Sequence, residues 1–451
     1  MIEAKETIDL GTGLRLHLFQ TPLFKTTTIK IFIHLPLDEN ATANALLVRV
    51  LGRGCRKYPT MRKISIFLDS LYGAIFGADI SKIGEHHIIE FFFEFVSQRF
   101  LPKHIDNTYY ALNFLKQIIF NPCLTAGRRL QDREFRSDYF SQEQEKLKDI
   151  IKSVYDDKIS YADERCIQEM CKDEPYRIYE YGEIDKIDKI SPEYVLNHYR
   201  DKILKSPMDI FIAGPKGINR VKGLVSNIFN SQIQKSKMQP QINTDKHRLN
   251  SLPILPPTKK ERLIKENDEI DQSKLVLGCR TYTTWNDKEI FGLMMASGIL
   301  GGFSHSKLFR YVREKAGLAY YVNSALEKTK GLMFIRAGID PNKFDAALKI
   351  IKEQLYVIQS GDISDEEINN TRSGIINRLK SIEDNASSFI DYNMELSINN
   401  RHDTLKELKE QFMDVNKKDI ASAAQKIKVD TIYLLNPTII KSPARTERSG
   451  K

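Results

Sequence analysis

Several absences narrow this 451-residue chain before anything it contains is considered. No run approaches the ~18 consecutive apolar residues of a membrane span. The opening residues, Met1-Ile2-Glu3-Ala4-Lys5-Glu6, lack the apolar stretch of a signal peptide. A cytoplasmic protein with no membrane span is therefore expected. Cysteine is scarce: Cys55, Cys123, Cys166, Cys171 and Cys279 are odd in number and contain no Cys-x-x-Cys pair, which argues against a disulfide framework and a zinc knuckle. The nine histidines contain neither His-x-x-Glu-His nor His-Glu-x-x-His. The formal charge is +9, but Lys and Arg are dispersed among 59 acidic residues and only the tail after Pro437 is uniformly basic. With no aromatic-basic platform, no nucleic-acid partner is expected, and an acidic protein or peptide explains the charge as well.

What remains is the usage of a globular protein, 41% apolar and 28% charged, long enough for two domains. Two halves of the sequence read alike. In the first, alternating apolar residues from Leu14 to Leu35 predict two strands, and Ala43 to Leu51 a helix. Leu71-Tyr72-Gly73-Ala74 and Ile88 to Phe95 read as strands, and Leu112, Leu115, Ile118 and Ile119 keep a helical period up to Asn121-Pro122. The second half repeats the order with a strand at Lys274–Leu277, a helix at Phe291–Ile299, strands at Ala319–Leu326 and Leu332–Gly338, and a helix carrying Phe344, Ala347, Ile351, Leu355 and Ile358 on one face. Both halves then predict a capped helix start, Ser141-Gln142-Glu143-Gln144 and Ser364-Asp365-Glu366-Glu367. Met208–Ile212 and Thr431–Leu435 are the matching last strands.

Runs of strands separated from runs of helices imply an α+β fold, with helices packed on a largely antiparallel sheet, built twice. The expected division is a first domain over 1–230, a Pro-punctuated linker over 231–262, a second domain over 263–437 and a basic tail over 438–451.

The second half contains Gly301-Gly302-Phe303-Ser304-His305-Ser306-Lys307-Leu308-Phe309 and Val312-Arg313-Glu314-Lys315-Ala316-Gly317-Leu318-Ala319-Tyr320. This resembles the C-terminal signature of the pitrilysin, insulinase and mitochondrial-processing-peptidase family of inverzincins. The resemblance covers essentially the whole chain. It implies two tandem homologous α/β-sandwich domains of the processing-peptidase (LuxS/MPP-like metallohydrolase) type. It also implies roles: Arg313 and Tyr320 fall on positions that contact substrate carbonyls and the developing oxyanion, which suits a permanently charged guanidinium and a phenol donor. Gly301, Gly302 and Ser304 fall on the substrate-binding glycine turn, where close backbone approach at a subunit or domain contact is expected. The ordinary reading beside these is Arg313 paired with Glu314 or another carboxylate and a tyrosine filling a core.

Active members of this family carry His-x-x-Glu-His on a first-domain helix, two His ligands on one helix face and a Glu that activates the zinc-bound water. In the matching register this chain has Ala45, Val48 and Arg49, none of which binds zinc. Glu143, Glu145 and Asp149, on the helix that would supply a third ligand, then read as a solvated acidic face. The adjacent His86 and His87 point to opposite faces of a strand and read as a polar, half-buried pair that cannot share an ion. Phe67-Leu68-Asp69-Ser70-Leu71-Tyr72-Gly73-Ala74 and Asp79 to Glu85 resemble the zinc-less bacterial YmfF-type branch. The resemblance implies a partner, a zinc-bearing subunit of YmfH type. It also implies a division of labour: no cofactor on this chain, zinc on the partner, and a peptide or small-protein substrate held between them. A non-enzymatic peptide-binding or scaffold protein on the same fold is the alternative.

Overall fold

The computed structural model describes residues 4–11, 13–102, 104–125, 134–215, 218–236 and 260–438. Of the expected linker, 237–259 lies outside the described residues, as does 439–451 of the expected tail.

The first half supplies strands β1 (Ala4–Asp9), β2 (Leu14–Gln20), β3 (Thr26–Pro36), β4 (Ile75–Ile83), β5 (His86–Val96) and β6 (Met208–Gly214). They form one sheet in the order β1-β2-β6-β3-β5-β4. Its helices are α1 (Ala41–Gly52), α2 (Met61–Ser70), α3 (Asn107–Phe120), α4 (Ser137–Asp156), α5 (Lys158–Met170), α6 (Ile184–Ile187), α7 (Pro192–Asp201) and α8 (Ile218–Ser236). The second half supplies β7 (Arg262–Asp268), β8 (Ser273–Arg280), β9 (Ala319–Glu327), β10 (Leu332–Ile339) and β11 (Lys428–Pro437), in the order β7-β11-β8-β10-β9. Its helices are α9 (Ile290–Ser297), α10 (Phe344–Gln359), α11 (Asp365–Glu383), α12 (Ala386–Ile398), α13 (Leu405–Asp414) and α14 (Lys417–Gln425).

The repeat is visible in strand direction as well as order. In each sheet the last strand of the half, β6 or β11, lies parallel to one neighbour (β2, β7) and antiparallel to the next (β3, β8). The remaining pairs are antiparallel in both. The chain is thus two α/β units of one topology, with β1 added at one edge of the first.

Alternation decides what each face of a strand meets. On β3, Ile29, Ile31 and Ile33 join Leu46, Leu47, Leu112 and Ile118 in the first core, while Phe32 on the other face joins the second. That second face is covered by α12 from the other half: Phe389 meets Phe19 edge-on at 4.9 Å, and Asp391 accepts a 2.6 Å hydrogen bond from Lys30. The exchange is mutual. Helix α5 of the first half lies on β8 and β11, burying Ala162, Cys166 and Met170 with Val276, Phe334, Tyr433 and Leu435. Gly278 on β8 makes room for it, because a β-carbon there would lie 2.7 Å from the Met170 sulfur. Each sheet is therefore a sandwich whose outer layer is its own helices and whose inner layer includes a helix borrowed from the other half. No helix among the described residues is long and apolar enough to cross a membrane.

Three local expectations are corrected. Leu71 to Ala74 is a turn, with Tyr72 and Gly73 at φ 65° and 74°, and the strand begins only at Ile75. Ser141 lies inside α4, which starts at Ser137 without a side-chain cap, whereas Ser364 and Glu367 do form the reciprocal capping box of α11. His86 and His87 are both buried rather than half-buried.

Candidate functional site

Helix α1 is apolar nearly all round, and such a helix belongs in a core. Ala45 and Val48 are fully buried, and Arg49 is the one long polar side chain that leaves the core. Its guanidinium turns toward α4, where Nε lies 3.2 Å from Oε2 of Glu143. Arg53, one turn on, approaches the other oxygen at 3.4 Å, and Lys146 reaches it at 2.9 Å. Glu143 is only 2% exposed, so it is not part of a solvated acidic face: it is a buried carboxylate held by three cations. The signal was available in the sequence, since Arg49 and Arg53 lie four apart on one helix face. What it lacked was the helix they face. Zinc does not fit here, because two apolar side chains and a cation occupy the positions in question. Among the described residues no group of three or more His, Cys, Asp or Glu could hold a metal ion.

Beside Ala45, Asn44 donates from Nδ2 to Nδ1 of His87 at 3.1 Å and accepts from Nε2 of His198 at 2.7 Å. His87 Nε2 donates to the Glu180 carbonyl at 2.8 Å, which fixes a neutral ring. Burial pushes His86 and His87 down to about 4, aided for His86 by the charge of His34 and for His87 by Lys82. The unfolded chain binds these protons near the ordinary value of ~6.5, so stability is full above that pH and is lost as pH falls toward 4. The expected loss is of order 3 kcal/mol per ring at the acid end, read as the urea midpoint between pH 7 and pH 4. His87→Gln should flatten the slope, and an equally steep slope in that variant would remove His87 from the account.

The second candidate region follows α9. Gly298–Gly302 continues the helix as a π turn, and Phe309–Lys315 is a second π-helical segment. Such segments are rare and collect at functional sites. Gly301 is buried against β9, where a β-carbon would lie 2.6 Å from the Ser324 backbone nitrogen. Close backbone approach is thus real, and the backbone that Gly301 approaches belongs to the same half of the chain. Gly302 is half-buried and its carbonyl accepts from Arg378 at 2.6 Å, while Ser304 is exposed.

Arg313 leaves the second π segment into solvent, its guanidinium 4.9 Å from the centre of the Phe309 ring. Among the described residues it makes no ion pair, with Glu314 or with another carboxylate. The chain then turns through Gly317 at φ 59°, tied by the Leu318 amide to the Val312 carbonyl at 3.0 Å, and enters edge strand β9. Tyr320 is 60% exposed there and does not fill a core. Arg313 and Tyr320 therefore both present to solvent donors that are unused among the described residues, from segments joined by one turn, and a guanidinium and a phenol so placed can bind a carbonyl or a carboxylate.

Residues 189–375 match the family model described as the peptidase M16 inactive domain. The chain is 34% identical to the probable inactive metalloprotease YmfF of Bacillus subtilis over 94% of this chain and 96% of that protein. It is 23% identical to the uncharacterized zinc protease YmxG of the same organism over 92% of this chain and 99% of that protein. A solved structure of a conserved protein from Enterococcus faecalis superposes with a TM-score of 0.85 at 26% identity, covering 96% of this chain and 99% of that one.

Proposed function

Because the chain belongs to the M16 metallopeptidase family, similar over almost its whole length to a member described as probably inactive, we propose that it is the non-catalytic subunit of a heterodimeric zinc endopeptidase. In this reading a YmfH-type partner brings zinc and the water-activating Glu. This chain brings Arg313 and Tyr320, which hold the substrate carbonyl and the charge that grows on its oxygen. The observation that carries the reading is the contrast between the two regions. At the zinc-motif positions, Arg49 and its neighbours satisfy Glu143 internally and leave nothing to bind metal. At the other, Arg313 and Tyr320 are exposed and unspent.

The test is peptide cleavage by this chain alone, by the zinc-bearing subunit alone and by the two mixed. Cleavage by the mixture should exceed the sum of the separate activities, and this chain alone should release no product. A mixture no faster than the zinc-bearing subunit would sink the shared site and leave peptide capture without cleavage, the scaffold alternative.

A further inference from the structure

We infer that the peptide taken up at the Arg313/Tyr320 surface is acidic, with Arg310 and Lys315 as the residues that select it. The inference rests on the reading of this surface as a peptide site and adds the chemistry of the peptide.

The charges around the second π segment do not cancel. Lys307 and Glu367 are a buried pair at 2.9 Å, so Glu367 is already neutralised. Arg310 reaches the same oxygen only at 3.6 Å, with 41% of its side chain exposed. Arg313 and Lys315 are exposed and, among the described residues, have no ion-pair partner. Arg378 spends one Nη on the Gly302 carbonyl, which is neutral. Within the segment itself, Arg310, Arg313 and Lys315 stand against one exposed carboxylate, Glu314.

What holds the cations is also unusual. Arg313 lies over Phe309 at 4.9 Å, Lys315 over Tyr311 at 4.3 Å, Arg310 over the same Tyr311 at 5.6 Å and Arg378 over Phe303 at 4.1 Å. A carboxylate partner would orient a cation and quench it. A ring orients it by its quadrupole and leaves the net charge and the hydrogen-bond donors for a ligand. The surface is thus pre-organised for carboxylates at low cost in side-chain ordering. A single-stranded nucleic acid is the poorer occupant, because it needs open aromatic faces for base stacking and these faces carry cations.

The experiment uses the full chain and fluorescence anisotropy with three labelled peptides of equal length. One carries several Asp and Glu, one their Asn and Gln isosteres, and one Lys and Arg at the same positions. An oligonucleotide of matching charge is the fourth probe. The acidic peptide should bind at least ~tenfold more tightly than its isostere at low salt. The preference should collapse in molar salt, where the Debye length falls to ~3 Å. The double variant Arg310→Gln, Lys315→Gln should lose most of it, whereas Lys406→Gln, whose side chain is 83% exposed on α13, should not. Equal binding of the isostere or the basic peptide overturns the inference, as does a preference that survives the double variant, or an oligonucleotide that binds as tightly as the acidic peptide. Cleavage of the acidic and isosteric peptides by the mixed subunits separates the two proposals. Equal cleavage of both with synergy intact sinks the acidic preference alone. Preference in binding without synergy in cleavage sinks the heterodimeric enzyme alone.

Discussion

Replacing Lys330 by Met should cost about 3–5 kcal/mol of stability, because it removes the central cation of a buried charge network between the two halves of the chain. Lys330, in the turn between β9 and β10, is 3% exposed. It pairs with Glu85 in the opposing turn between β4 and β5, and with Glu174 just after α5 at 2.7 Å. Glu174 also accepts from Arg280 at 2.5 Å, Arg280 reaches Asp430 at 3.2 Å, and Asp430 is closed from the other side by Arg262 at 2.9 Å. Three carboxylates are matched by three cations, Lys330, Arg280 and Arg262. Burial alone would raise the Glu174 carboxyl, but hydrogen bonds from Arg280 and Lys330 outweigh it and hold the group below its ordinary value. Without Lys330, Glu85 loses the charge it faces, while Glu174 keeps only Arg280. Both remain in a poorly solvated interface, and that unpaired charge is the source of the loss. The measurement is the urea midpoint at neutral pH with the slope unchanged. Lys406→Met, which breaks an exposed helix pair with Glu410 at 3.8 Å, should move it by less than about 0.5 kcal/mol. A Lys330→Met midpoint as little shifted as that of Lys406→Met would mean that the network has no net hold on the interface. Adding Glu85→Gln to Lys330→Met should recover part of the loss, since it removes the stranded charge along with its partner.

That network also marks where the sequence stopped being legible. The repeat could be read because each half places strong period-two or period-3.6 patterns in the same order, and β3, β5, β8, β10, α1 and α10 lie where those patterns put them. Strands β1 and β7 escaped because they are edge strands with one face in solvent, Ala-Lys-Glu-Thr-Ile-Asp and Arg-Leu-Ile-Lys-Glu-Asn-Asp, whose alternation is diluted by charge. The turn at Tyr72 was misread because an aromatic residue argues for strand, while a positive φ at a non-glycine residue is set by its surroundings. Nothing local says that α5 and α12 cross to the other sheet. Their apolar faces are ordinary amphipathic faces, and only the tertiary partner is exchanged. Glu143 was misplaced for the same reason. An acidic residue on a helix is usually solvated, and what buries this one is Arg49 on a helix almost a hundred positions earlier. In the second region the motif residues were found by resemblance, but the π-helical backbone, the burial of Gly301 and the cation-bearing rings under Arg310, Arg313 and Lys315 follow from packing that periodicity does not encode.

The largest functional effect should come from Arg313. In the mixed, zinc-bearing complex, Arg313→Ala is expected to lower turnover by roughly ten- to a thousandfold, the upper part of which is the effect of removing one fully preorganised donor to an oxyanion. The fall should appear mainly in kcat, because a donor aimed at charge that develops in the transition state contributes little to ground-state binding. The stability of this chain should hardly change, since the side chain is exposed and lies over the face of Phe309. Arg313→Lys keeps the charge but loses the planar fork, so it should fall between the two. This pattern separates the oxyanion role from the acidic-peptide selectivity assigned to Arg310 and Lys315. Losing those two should raise KM for acidic peptides and leave kcat near its starting value, because attraction to a distant carboxylate is the same in the ground and transition states. If Arg313→Ala instead raised KM alone, with kcat untouched, Arg313 would belong with Arg310 and Lys315 as a binding cation, and Tyr320 would be left as this chain's sole donor to the oxyanion.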